Sequence, residues 1–285
     1  MARLSEHPEL LTVYRADYLQ QAMTAGWLPP EFLVENISSD QWYRAMMRLA
    51  TRLRDAETLR EIIAGMSHRI NPTRTYAAPL VIGLGNSGIE VIKALSATAT
   101  VEQESLLAVD IDSYTLKQCD GTRKLTIPFG QAKFFGWAGV HHGGVDHRRM
   151  LTVAAVPKIA KELDSASQVV ITLALGGALG TGAAPVIAAE CQNLDIPVQV
   201  VAILPLKFRP MRAIQRDPLH WRESLHVVDL LRRLGARVEL LSSEKVLKEL
   251  PNGGPPVSLR EFHELMTTAM LGRVVAKVSE KQTGN

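Results

Sequence analysis

The run Leu175-Gly176-Gly177-Ala178-Leu179-Gly180-Thr181-Gly182-Ala183-Ala184-Pro185 sets four glycines and a threonine between an apolar stretch, Val169-Val170-Ile171-Thr172-Leu173, and an alanine-rich helical segment. Glycines let successive backbone N–H groups approach one anion, and the start of the following helix adds partial positive charge; the chemistry is that of a phosphate cradle. Its candidate contacts are Gly176, Gly177, Gly180, Gly182 and the backbone and hydroxyl of Thr181. A second turn, Gly83-Leu84-Gly85-Asn86-Ser87-Gly88, has the G-x-G-x-x-G form, which offers the N–H groups around Gly83, Gly85, Asn86, Ser87 and Gly88 to a phosphate. About twenty residues on, Asp110 and Asp112 stand at the tip of another apolar run, in the spacing of a dinucleotide fingerprint. A third segment, Gly136 to Arg149, carries Gly139, Gly143 and Gly144 with His141, His142, His147 and Asp146. Imidazole and carboxylate are metal donors, but a glycine-rich loop does not fix ligand geometry and no matching cluster lies elsewhere in the chain. Structural or surface histidines are the plainest reading, and a phosphate contact through imidazolium or a backbone N–H at Gly139, His141 and His142 is kept ahead of a metal site.

Each of these groups needs an element to hold it. Pro79-Leu80-Val81-Ile82 reads as a strand running into the first glycine turn, and Ile89 to Leu95 as the amphipathic helix behind it. Leu106 to Ile111, Val169 to Leu173, Pro197 to Leu204 and Val238 to Leu241 are further strand-length apolar runs, and Glu261 to Lys277 is a long helix. Strands alternating with helices predict an α/β fold with a mainly parallel, Rossmann-like sheet and ligand turns at the carboxyl ends of its strands. On the first glycine turn and Asp110 alone, an NAD-binding oxidoreductase or sensor is a valid reading; the second glycine loop, for which a dinucleotide enzyme has no need, weighs against it.

Taken in order, these pieces resemble the FtsZ/tubulin family over roughly residues 77 to 280. The loop Gly176-Gly177-Ala178-Leu179-Gly180-Thr181-Gly182 followed by Ala183-Ala184-Pro185 is similar to that family's GGGTGTG signature and its trailing AAP, with Ala178 for a glycine and Leu179 for a threonine. Val109-Asp110-Ile111-Asp112 stands where the family has an Ala-x-Asn-Thr-Asp strand end, and Pro205-Leu206-Lys207-Phe208 resembles its Pro-Phe-x-Phe loop. The resemblance implies GTP or GDP as ligand, with Mg, and self-association or an FtsZ-like partner. It also implies base stacking by Phe262 on the central helix; four residues on, Met266 replaces the acid that would select guanine. The family completes hydrolysis with acids donated after the central helix. Residues 278–285 hold one acid, Glu280, so the expectation is a nucleotide-binding regulator or assembly component with weak or no GTP hydrolysis. A nucleotide-free scaffold for protein contacts is the alternative that Ala178, Leu179, Glu90 and Met266 favour.

The remainder bounds rather than identifies. The chain has 285 residues, 32 basic against 29 acidic, which points neither to nor away from nucleic acid. Lys207, Arg209, Arg212, Arg216, Arg222, Arg232, Arg233 and Arg237 face only Asp217, Glu223 and Asp229, a solvated face or a surface for an anionic partner. Two cysteines, Cys119 and Cys191, make no framework and imply a reducing compartment; with no signal-peptide run and no membrane-length apolar stretch, a cytoplasmic location is expected. Residues 1–75 read as a helical extension and 76–285 as the nucleotide-binding domain, ending at the central helix. In the extension, Ser39-Asp40 caps one long helix whose apolar stripe runs through Trp42, Met46, Leu49, Leu53, Ala56, Ile63 and Met66, with Asp55, Glu57 and Glu61 as possible donated carboxylates.

Overall fold

The computed structural model describes residues 50–66, 78–98, 101–127, 144–205, 218–248 and 259–279. Its centre is a six-stranded, wholly parallel sheet built from β1 (Ala78–Leu84), β2 (Leu106–Asp110), β3 (Arg123–Thr126), β4 (Ala166–Ala174), β5 (Val198–Leu204) and β6 (Arg237–Ser242). The spatial order is β3-β2-β1-β4-β5-β6. The chain thus builds outward from β1 in one direction, returns, and builds the other way from β4. The crevice outside the carboxyl ends of β1 and β4, where the order reverses, is the place such sheets bind ligands.

The central strands are apolar on both faces because both faces are covered. Leu80, Ile82, Leu84, Val169, Ile171 and Leu173 enter one core; Val81, Val170, Val201 and Ile203 enter the other. On the second face lie α2 (Gly85–Thr98) and the 21-residue α9 (Leu259–Ser279), which inserts Met266, Met270, Val274 and Val278, one residue per turn. On the first face lie α4 (Val145–Ala154), α5 (Val156–Leu163), α6 (Ala178–Asn193) and α7 (Pro218–Arg233). Two short helices, α3 (Ser113–Lys117) and α8 (Ser243–Lys248), follow β2 and β6. The strand runs and the long helix expected from the sequence are all present; β3, whose Arg-Lys-Leu-Thr carries little apolar signal, was not expected.

Helix α6 departs from the ordinary plan. Leu179 through Cys191 are all buried, including the face turned away from the sheet. A helix that is apolar all round needs cover on every side, and α1 (Ala56–Met66) provides the outer cover through Leu59, Ile62, Ile63 and Met66. Full burial of three such aliphatic side chains is worth about 1.5–3 kcal/mol each. The end of the extension therefore belongs to the same hydrophobic core as the sheet. The single long helix expected there is broken instead: backbone bonds from Arg54 and Asp55 to Thr51 and Arg52 close one helical turn, and Asp55 then caps α1 by accepting the Thr58 N–H at 2.9 Å. The periodicity of the stripe runs across this break because both pieces pack inward. The Ser39-Asp40 cap expected from the sequence lies outside the described residues.

Candidate functional site

The glycines of the two turns divide by what surrounds them. A Cβ on Gly83 would stand 2.4 Å from the Gly88 carbonyl oxygen, and one on Gly88 would stand 2.4 Å from that of Thr172. These two residues let α2 lie directly on β1 and β4. Gly182 does the same for α4 and α6, since its Cβ would meet the Val145 carbonyl at 2.6 Å and the Arg149 nitrogen at 2.9 Å. Gly85 and Gly176 are different: they take φ of +65° and +88°, which L-residues rarely adopt. The Cβ position of Gly85 has open space around it, its nearest neighbour being the Gly180 nitrogen at 4.0 Å. The turn after β1 and the turn after β4 therefore face each other across the crevice.

The β4 turn is held from within. The Thr181 hydroxyl is buried and accepts the Gly176 N–H at 3.0 Å, so it shapes the loop. The first intrahelical bond of α6 runs from the Thr181 N–H to the Gly177 carbonyl, and no side chain caps this end. The N–H groups of Ala178, Leu179 and Gly180 precede that bond, and a helix start of this kind presents its amides and dipole to an anion. Exposed Gly177 sits at the N-cap, and Leu179 turns into the core. Asn86 is exposed and Ser87 half-buried at the start of α2, while Glu90 points outward to pair with Lys93 at 2.8 Å.

Asp110 ends β2 beside the crevice. It is buried, and its Oδ1 accepts the N–H groups of Ile111 and Asp112 at 2.6 and 3.0 Å. Burial raises its carboxyl above the usual carboxylate range, against the pull of those N–H bonds and of the Arg148 guanidinium. Arg148 of α4 is buried too; burial depresses its guanidinium, and attraction by the Asp110 carboxylate opposes the depression. Asp112 is an exposed N-cap of α3, accepting from Tyr114 N, Thr115 N and the Thr115 hydroxyl, and these bonds lower its carboxyl. Its chemistry is helix capping, which the sequence spacing does not separate from ligand binding.

The first turn of α4 is tied into an ion cluster. Arg54 clasps Asp146 as a fork, Nη2 to Oδ2 at 2.7 Å and Nε to Oδ1 at 3.1 Å. The buried Arg149 donates to Asp146 Oδ1 at 3.0 Å, and Glu223 of α7 lies 3.3 Å from Arg54 and 3.6 Å from Arg149. The hydrogen bonds it donates to Asp146 raise the Arg54 guanidinium further, whereas burial lowers that of Arg149 against the attraction of both acids. None of this was read from the sequence, where Arg148-Arg149 is only a basic doublet. Its signal is visible in retrospect, because two arginines in one helical turn that packs against alanines and glycines need carboxylates from other elements.

Helix α9 runs against the strands: Gln168, near the start of β4, reaches the Lys277 carbonyl, and Thr172, near its end, touches Met270. Phe262, two turns before Met270, therefore lies toward the carboxyl ends of the strands, half-buried against the second core and tilted against His263. Met266 is buried beneath it, so that position faces the core. Gly139, His141 and His142 lie outside the described residues, as do Lys207, Arg209, Arg212 and Arg216. Of the basic stretch that is described, Arg233 pairs with Asp55 at 3.4 Å, and nothing supports an anionic partner there. Among the described residues no group of three metal-ligating side chains occurs and no helix is long and apolar enough to cross a membrane.

Comparison with known proteins matches residues 79–230 to the family model described as Tubulin/FtsZ family, GTPase domain. Cell division protein FtsZ 1 of Archaeoglobus fulgidus is 23% identical over 192 residues, 67% of this chain and 49% of its own length. Cell division protein FtsZ of Methanothermobacter thermautotrophicus is 27% identical over 223 residues, 78% of this chain and 51% of its own. The chain thus spans about half the length of these relatives. Among solved structures, an empty FtsZ dimer from M. jannaschii superposes with a TM-score of 0.58 at 20% identity, covering 72% of this chain and 55% of that one. CetZ2 from Haloferax volcanii, a GTPγS-bound protofilament, gives 0.55 at 20% identity over 71% and 58%. These likenesses confirm the parallel sheet, and the family match removes the ground for a dinucleotide oxidoreductase. Because the matched span begins in β1 and ends in α7, taking in every turn of the crevice, the chain belongs to the Tubulin/FtsZ family, in its GTPase domain.

Proposed function

We propose that this chain binds a guanine nucleotide, GDP or GTP, in the crevice between the β1 and β4 turns, and acts as a regulator or component of a self-assembling system. The observation that carries the reading is the opposition of the two turns: positive-φ Gly85 faces the Gly180 amide, at the uncapped start of α6. In this reading the amides of residues 178–180 and of the α2 start hold the phosphates, Thr181 fixes the loop, and Phe262 lies on the side of the sheet where a base would stack. Support for the ligand comes from the family and from neighbours such as the GTPγS-bound CetZ2 protofilament.

Hydrolysis is proposed to be slow. A general base must reach the attacking water, and the carboxylates that the described residues bring to the crevice are committed: buried Asp110 to two backbone amides, Asp112 to the cap of α3. The same commitments leave the described residues a poor fit to magnesium, which prefers one or two available carboxylates beside the phosphates. Nucleotide charge is therefore met by amides and helix ends. Calorimetric titration of the purified protein with GDP, ATP and NAD tests the reading: GDP is expected to bind, whereas binding of NAD alone would sink it.

A further inference from the structure

The ion cluster at the start of α4 joins the N-terminal arm to the walls of the crevice, and this connection deepens the nucleotide reading on which it rests. Arg54 precedes α1, the helix that covers α6 from outside. Its guanidinium grips Asp146 through two nitrogens, Nη2 to Oδ2 at 2.7 Å and Nε to Oδ1 at 3.1 Å, the two-point pairing that gives arginine–carboxylate contacts direction as well as charge. Asp146 lies in the first turn of α4, just after the glycine-histidine segment, and shares its carboxylate with Arg149 at 3.0 Å. Glu223, contributed by α7, balances the second guanidinium. Two cations and two anions from three parts of the chain, the segment before α1, α4 and α7, thus meet at one helix end.

What α4 touches gives the cluster its consequence. The backbone of Val145 and Arg149 lies so close to Gly182 that a single methyl there would be 2.6 Å from the Val145 oxygen. Gly182 follows Thr181 and Gly180 in the opening turns of α6, so the start of α4 and the glycine loop are packed backbone to backbone. Arg148 is part of the same contact, its Cβ 2.8 Å from where that methyl would stand. A displacement of this helix end therefore moves the wall of the β4 turn with it, because closely packed backbones have no slack to absorb it.

We propose that Arg54 is a positioning residue of the nucleotide site: by clasping Asp146 it sets the start of α4 against the glycine loop of α6. Arg54 touches no ligand and acts through Asp146. A lysine in its place keeps the charge and loses the fork, so it restores the effect only in part.

The test uses the full chain and mant-GDP as fluorescent probe. Arg54→Ala and Asp146→Asn are each expected to weaken mant-GDP about tenfold, and the double variant to be no worse than either alone, as for two residues acting through one contact. Arg54→Lys is expected to fall between. Amide hydrogen exchange in 145–154 and 176–182 is expected to rise in Arg54→Ala, also without nucleotide. A residue that only stabilises the fold would lower the melting temperature and leave affinity and local exchange as they were; that result overturns the proposal. So does strict additivity of the two variants. If the unmodified protein binds no mant-GDP, the nucleotide reading itself fails and the role of Arg54 at that site fails with it, an outcome distinct from binding that ignores Arg54.

Discussion

Glycines that look alike in the sequence do three different jobs in the fold, and substitution separates them. Gly88→Ala drives a methyl to 2.4 Å from the Thr172 carbonyl, a backbone atom that cannot swing away. The expected loss is about 3 kcal/mol or more, read as a fall in the denaturant midpoint. Gly85→Ala has room for its methyl and suffers only the positive φ, about 1–2 kcal/mol. Equal losses in the two variants would contradict this division. A second expectation concerns Asp110, whose asparagine variant keeps the Oδ1 acceptor for both amides. Burial raises the folded-state pKa, so the wild-type carboxyl favours folding while protonated and loses that contribution as pH rises through its folded value. Thermal melts of Asp110→Asn and wild type between about pH 4 and pH 7 are expected to show the variant gaining relative stability with pH. A difference that is flat or shrinks would show that the amide bonds and the attraction of Arg148, not burial, dominate.

Among the elements, α1 is the one whose importance the sequence concealed. The stripe read from the sequence passes through Ala56, Ile63 and Met66; Leu59 and Ile62 join it in the fold, and the all-apolar α6 is what it covers. Leu59→Ala, at a fully buried position, is expected to cost about 2–5 kcal/mol, as much as a central-strand leucine, by chemical denaturation. A loss under 1 kcal/mol would mean that α1 is a loosely applied arm. By contrast, β1, β2, β4, β5 and α9 were legible because their apolar runs have strand length or one-per-turn spacing, patterns that few other structures satisfy. The Leu53 to Asp55 break was not, since the apolar spacing continues across it and the capping role of Asp55 depends on where the chain stops being helical.

Across the whole molecule, sheet order turns separate motifs into one site. The sequence places Gly85 and Gly180 nearly a hundred residues apart, and only the neighbourhood of β1 and β4 makes their turns face each other. The glycine loops themselves were readable, and so was the family. The ion cluster was not, because Arg54 and Glu223 lie far along the chain from Asp146 and Arg149, and the sequence does not show that the fold brings them together. The central claim is that nucleotide phosphates sit at the start of α6, and Gly177 gives the most direct access to it. This N-cap residue has φ −80° and ψ 136°, values that valine adopts readily, and a Cβ there meets nothing closer than the Ala174 oxygen at 3.6 Å. Calorimetric titration of GDP into wild type and into Gly177→Val, with melting curves of both, is predicted to give binding in the first and none in the second at similar melting temperature. Undiminished GDP binding by a folded Gly177→Val, or no GDP binding by wild type, would contradict the account.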